Sequence, residues 1–331
     1  MSVNWLLLFI PITLVLEHLG VPPTLLFFSA AIAIVPIAAL IVHATEQVAS
    51  RTGEAIGGLL NATFGNAPEL IICLVALKAG YLEMVRAALI GGILANLLLA
   101  MGVSFFLGGL RYHQQNFNAN AARLYVSTML LAVISMAIPS AFSRAFAPDG
   151  VVRDEQMLNI GIAVTLLLAY GLYLLFSLKT HPEAFASAVS TEVKSEDHGH
   201  GGKAWSLQRA IGSLIGASLL AAWMSEILVG AAEGTGKALG MSEVFIGVVF
   251  LAVIGGAAES GSAITVARRN RMDLAIGIGL GSSIQIALFI APVLVLASYF
   301  ISPQPLELSF SKAELGALGF GVLVGAFVIT D

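Results

Sequence analysis

Two carboxylates lie where the surrounding sequence is almost wholly apolar: Glu69 in FGNAPELII (64–72) and Glu259 in IGGAAESGS (254–262). A charge at the centre of a membrane helix costs about 2.5–3.5 kcal/mol on insertion scales, so an intramembrane glutamate points first to function. The residues around Glu69 fit one chemistry. Asn66 stands three positions earlier and shares a helix face with it. Pro68 has no N–H, which leaves the carbonyl of Phe64 without its usual helical partner; a plain packing kink is the other reading of this proline. Gly65 lets a second backbone come close. Irregular backbone at membrane depth is tolerated only around a cavity or inside protein. A free carbonyl, an amide oxygen and a carboxylate are hard ligands, suited to Ca2+, Mg2+, Mn2+ or Na+ and not to zinc or copper.

The second stretch supplies Gly255, Gly256 and Ser262 beside Glu259. The spans that follow each stretch add Asn96 from one half and Ser282, Ser283 and Gln285 from the other, Ser282 and Gln285 sharing a face. Hydroxyls and amides in such spans also hold helices together. The candidate metal ligands are therefore Glu69, Glu259, Asn66, Asn96, Ser282, Ser283, Gln285 and the carbonyl of Phe64. Glu46, Glu226, Glu233 and Glu243 fall near predicted helix ends, where they are solvated or form an acidic funnel for cations. His198 and His200, in DHGH, either belong to a solvated loop or bind a metal. The chain has no HExxH, GxSxG or nucleotide-binding loop. No cofactor is expected, and any transport would draw on an ion gradient.

The elements that must position these groups follow from composition. The 331 residues are 58% hydrophobic and 11% charged, against about 25% charged in soluble domains. Most of the surface must face lipid. The formal net charge of −4 gives no hint of a nucleic-acid partner, and Cys73, the single cysteine, rules out an intrachain disulfide. The opening MSVNWLLLFIPITLVLEHLG lacks a basic leader region and a small-residue cleavage site, so it reads as a first membrane helix and not a signal peptide.

Spans of about 20 apolar residues are predicted at roughly 4–19, 24–45, 55–77, 84–110, 122–143, 156–178, 208–230, 243–267, 273–300 and 313–330, ten in all. The fold class is an all-α polytopic membrane protein. The polar interval 180–206 reads as a cytoplasmic linker, which gives an N-terminal helix (1–22), a first repeat (23–179) and a second repeat (207–331). With the N-terminus in the cytoplasm, Arg51, Arg111, Arg123, Lys179, Lys194, Lys203, Arg209, Arg268, Arg269 and Arg271 gather on that side. Lys78, Arg86, Arg144, Arg153, Lys237 and Lys312 gather on the other. Ten against six is the bias expected of cytoplasmic loops.

An internal repeat links the halves. Gly65-Asn66-Ala67-Pro68-Glu69 aligns with Gly255-Gly256-Ala257-Ala258-Glu259 at an offset of 190, and the same offset carries GGILANLLL onto GSSIQIALF. Thr45-Glu46 resembles Ser225-Glu226 with a different loop length. Glu69 falls on the third predicted helix and Glu259 on the eighth. An odd separation means that equivalent helices cross in opposite directions, the inverted-topology repeat of secondary transporters with a midplane site.

GGLLNATFGNAPELII, HATEQVASRTG, GGILANLLLAMGVSFFLGGLR and MDLAIGIGLGSSIQIALF resemble the calcium/proton exchanger (CAX) family of the Ca2+/cation antiporter superfamily, from about residue 36 to the end. The resemblance implies that Glu69 and Glu259 face each other and take Ca2+ or protons in turn, with Asn66, Asn96, Ser282 and Gln285 lining the pathway. It also implies an eleventh helix, absent after VLVGAFVITD, and a prokaryotic plasma-membrane protein, because the long regulatory tail of plant vacuolar members is missing. The chain departs from the family's second motif in having Gly256 for Asn and Ser260 for His.

Desolvation favours the neutral carboxyl and a divalent cation favours the ionised one. Protons and cation therefore compete at a site open to one side at a time, and the result is exchange. A Na+-coupled or Mg2+/Mn2+-selective exchanger, a channel and an intramembrane hydrolase are the alternatives. The expected partners are Ca2+, H+ and the lipid bilayer, with a homo-oligomer left open.

Overall fold

The computed structural model describes residues 3–52, 54–146, 152–182 and 205–330. Most of the polar interval, with Lys194, His198, His200 and Lys203, lies outside the described residues. Among the described residues all regular structure is helical. After a 3-10 turn (Val3–Leu8), the helices are α1 (Phe9–His18), α2 (Pro23–Thr52), α3 (Glu54–Phe64), α4 (Ala67–Lys78), α5 (Leu82–Arg111), α6 (Ala119–Phe146), α7 (Val152–Leu175), α8 (Leu207–Leu239), α9 (Glu243–Gly255), α10 (Ala257–Ala267), α11 (Met272–Ile301) and α12 (Lys312–Thr330).

Seven of the described helices are long and apolar enough to cross a membrane, and an eighth span results if α9 and α10, bent by 57° at their break, count as one. In a bilayer every backbone N–H and C=O must be satisfied within the protein, which helices alone achieve segment by segment. The first helix is short, and the predicted span 55–77 is divided at Gly65–Asn66 into α3 and α4. Helix α8 reaches Leu239, beyond the predicted 208–230, and ends where Gly240 adopts a left-handed φ of 68°. Glu226 is therefore an interior residue of α8 and not a helix-end residue.

The local conformation repeats at the offset of 190. Asn66 (φ −93°, ψ 25°) and Gly256 (φ −80°, ψ 10°) both break a helix in the bridge region. The following spans both carry a π-helical segment, Ala95–Ala100 within α5 and Ile286–Ile290 within α11. Such segments insert a residue into the helical ladder and are frequent at functional sites.

Packing divides the chain into two compact units that do not follow the sequence halves, each taking pieces of both. The first comprises 1–91, 204–258 and 301–303; the second comprises 92–203, 259–300 and 304–331.

In the first unit α2 and α8 form the most extensive helix pair. They run antiparallel: Pro23 at the start of α2 lies against Gly234 near the end of α8, and Arg51 at the other end donates to the carbonyl of Trp205 at 2.8 Å. Phe27, Ile34, Ile37 and Ile41 of α2 and Met224 and Leu228 of α8 are fully buried. Lipid is as apolar as these side chains, so the contact is held by close packing and not by expulsion of water. Small residues bring the backbones near. Gly91 of α5 lies on the backbone of Val248 in α9, and Gly247 of α9 lies on the carbonyl of Met84 in α5.

In the second unit α6 packs on α11 and α12, and α7 packs on the π segment of α11. Residues 304–311 form an extended strap whose Leu306, Leu308 and Phe310 are buried. The N–H of Leu306 donates to Ser298 Oγ at 2.8 Å and that of Leu308 to Asn159 Oδ1 at 3.1 Å. Side chains of α11 and α7 thereby satisfy backbone groups that no helix does.

Candidate functional site

Both glutamates sit in the first turn of a helix that begins inside an apolar stretch. Asn66 occupies the N-cap position of α4, followed by Ala67, Pro68 and Glu69. Gly256 precedes α10, followed by Ala257, Ala258 and Glu259. Glu69 is 7% exposed and Glu259 8%. Pro68 is thus not a packing kink within a continuous helix, because the helix is broken just before it at Gly65–Asn66. It stands in the opening turn of α4, where its fixed φ suits helix initiation and the missing N–H would have no helical partner anyway. Phe64 ends α3, so its carbonyl belongs to a helix terminus.

This placement matters electrostatically. The N-terminus of a helix carries the equivalent of about half a positive charge and stabilises a first-turn carboxylate by about 0.3–1 kcal/mol, up to ~2 in partly buried geometry. That is less than the insertion cost of about 2.5–3.5 kcal/mol. The dipole offsets part of the penalty.

In the first unit the structure brings Glu69 together with Gly255, the last residue of α9, and places Asn66 (2% exposed) one turn before it. Phe64 is partly exposed. In the second unit the π segment of α5 packs on α11. A methyl on Gly279 of α11 would meet the Asn96 carbonyl at 3.4 Å, so Asn96 lies beside the turn that leads into Ser282 and Ser283. Asn96 is 2% exposed, and its Nδ2 makes no hydrogen bond to any described residue. Ser282 and Ser283 are buried, and Gln285 is half-buried. Ser283 Oγ donates to the Gly279 carbonyl at 2.9 Å, which leaves its lone pairs free to accept.

Three of the carboxylates predicted near helix ends have surface partners. Glu226 lies 3.6 Å from Lys78, the last residue of α4. Glu233 pairs with Lys237 and accepts from the Tyr81 hydroxyl at 3.4 Å. His43 and Glu46 lie 3.7 Å apart. Thr45 and Ser225, aligned in the sequence, behave alike: each is buried and donates to the carbonyl four residues back. Sequence reasoning placed Gly255 beside Glu259 and in the repeat but did not foresee its contact with Glu69; its match to Gly65 was the available signal.

A helical, polytopic integral membrane protein with buried carboxylates at paired helix breaks is the class that fold and site define. The chain belongs to the sodium/calcium exchanger protein family, which matches residues 22–179 and 209–331. It is 41% identical to a Ca(2+)/H(+) antiporter of Aphanothece halophytica, over 98% of this chain and 89% of that one. It is 39% identical to the Ca(2+)/H(+) antiporter ChaA of Bacillus subtilis (strain 168), over 97% and 90%. The crystal structure of the selenium-substituted Ca2+/H+ antiporter protein YfkE is 36% identical, with a TM-score of 0.82 over 98% of this chain and 90% of that one. The resemblance to the calcium/proton exchanger family seen in the motifs is borne out by these relatives.

Proposed function

We propose that the chain exchanges Ca2+ for H+ across a membrane, and that Glu69 and Glu259 carry protons in one half of the cycle and ligate Ca2+ in the other. The observation that carries this reading is the pair of buried first-turn carboxylates at equivalent positions of the repeat. Relatives named for this exchange, matched over nearly the whole chain, support it. Asn66, the Phe64 carbonyl, Asn96, Ser282, Ser283 and Gln285 complete the donor set. An oxygen-only set suits Ca2+, which takes six to eight ligands at about 2.3–2.6 Å. Gly256 and Ser260 stand where the resemblance implies an amide and an imidazole, so position 260 offers no imidazole to relay protons.

The ten-span count with inverted repeats is part of the proposal. The recurrence of helix breaks and π segments at one offset supports it. Alternating access then moves one group of helices against another around a fixed site. A prokaryotic plasma membrane with the N-terminus inside is likewise proposed. Within the first unit Arg51 and Arg209 gather at one end, Arg51 on the Trp205 carbonyl and Arg209 over the Trp205 ring, while Lys78 and Lys237 meet Glu226 and Glu233. Two protons per Ca2+ would move no net charge; three would let the membrane potential contribute about 2.3 kcal/mol per charge per 100 mV.

The test is Ca2+ uptake by sealed vesicles under an imposed pH gradient, repeated with Na+, Mn2+ and Mg2+. Ca2+ accumulation that collapses with the pH gradient and is indifferent to Na+ supports the reading. Uptake that needs a Na+ gradient, or flux with no proton counter-movement, refutes it.

A further inference from the structure

We propose that Gly255 is a positioning residue for Glu69: the absence of a side chain there sets where the carboxylate stands. The inference rests on the assignment of Glu69 as a cation ligand. A methyl on Gly255 would fall 2.7 Å from Glu69 Cγ, 3.3 Å from its Cα and 3.4 Å from its Cδ. Two carbons do not approach to 2.7 Å, and one of the three atoms belongs to the backbone. Neither partner yields easily. Glu69 follows Pro68 in the opening turn of α4, where φ of the preceding residue is locked. Gly255 closes α9 immediately before the break at Gly256. The two helix ends therefore meet with the glutamate stem resting directly on the glycine backbone, which closes that side to the stem.

This has a consequence for ion choice. Ca2+ accepts oxygens at about 2.3–2.6 Å in a flexible cage, and Mg2+ needs about 2.0–2.1 Å in a near-octahedral one. A shift of a few tenths of an ångström at Cγ moves the carboxylate by as much as separates these cages. Gly261 of α10 carries no such constraint: a methyl there would meet nothing within 4 Å.

Two measurements test the proposal. Gly255→Ala in sealed vesicles should raise the KM for Ca2+ by about tenfold or more, with a smaller change in maximal rate, as misplaced binding groups do. It should also change the Mn2+-to-Ca2+ uptake ratio, while Gly261→Ala stays within about twofold of the parent. A folded Gly255→Ala protein with parental KM and ratio overturns the proposal. The second measurement is a double-mutant cycle on thermal unfolding in detergent. Gly255→Ala should lower Tm in the parent and much less in a Glu69→Ala background, where Cγ and Cδ are gone. Equal losses in both backgrounds overturn the contact. If Gly255→Ala yields no folded protein, recovery by Glu69→Ala supports the proposal and failure of both refutes it. The cycle does not depend on transport, so it decides the contact even if Ca2+ proves not to be the cargo.

Discussion

The hydroxyl of Ser140 on α6 accepts the N–H of Phe310 at 2.7 Å and donates to the carbonyl of Leu308 at 3.1 Å. One side chain thus ties both ends of a three-residue stretch of the strap to the helix beneath. Replacing it by alanine removes the donor to a buried carbonyl and the acceptor of a buried N–H, and a buried group left orphaned costs about 1–3 kcal/mol. Ser140→Ala should lower the detergent Tm by several degrees, at about 2–4 °C per kcal/mol for a chain of this order. Asn159→Ala, which orphans the N–H of Leu308, should do the same. The double variant should lose less than the sum, because both residues hold one segment. Additive losses would mean that the strap does not behave as a unit.

The two glutamates should be indispensable and not interchangeable with their amides. Glu69→Gln and Glu259→Gln keep volume and remove the titratable group, so each should reduce pH-driven Ca2+ uptake to the background of empty vesicles. Normal exchange by either variant would remove that residue from the mechanism. Glu69→Asp, which withdraws the charge by one methylene, should retain weak uptake with a raised KM. Stability should stay close to the parent for the Gln variants, since burial penalises an amide less than a charge.

Asn96 offers a separation of stability from function. Its buried Nδ2 makes no hydrogen bond to any described residue, so the fold gains little from that half of the amide. Asn96→Ala should cost under about 1 kcal/mol of stability and yet raise the KM for Ca2+ by about tenfold, one ligand's share of binding. A Tm falling by many degrees with unchanged transport would reassign Asn96 as a structural residue.

Tyr81, in the turn between α4 and α5, has its phenol pKa raised above 10.0, first by burial and then by the neighbouring Glu233. The unfolded chain therefore loses this proton at a lower pH than the folded one. The contribution to stability is complete below about pH 10 and falls as pH rises through the folded value. Thermal unfolding should show a loss above pH 10 that is smaller in Tyr81→Phe. Nearby, Glu226→Ala should change little, because an exposed ion pair such as that with Lys78 is worth about 0–1 kcal/mol. Uptake reduced more than about threefold would revive the acidic funnel as a functional element.

The sequence by itself determined the helical, membrane-spanning class and the two carboxylates within apolar stretches. Those properties are local: a run of apolar residues must be helical in lipid, and a charge within it carries its cost wherever the rest of the chain goes. It also determined the repeat, since an offset of 190 can be read without coordinates. Where each helix breaks was only half legible. Pro68 marked irregularity, but Gly65, Gly256 and Ala258 look like the small residues that pack any membrane helix. Tertiary structure alone decided that the breaks fall at Asn66 and Gly256, so that both glutamates open a helix and face its positive end. It alone put Gly255 against Glu69, buried the strap under Ser140, Asn159 and Ser298, and built each compact unit from both halves. Contacts between residues far apart in the chain leave no mark on periodicity or composition, because hydrophobic pattern reports which face of a helix is covered and not by what.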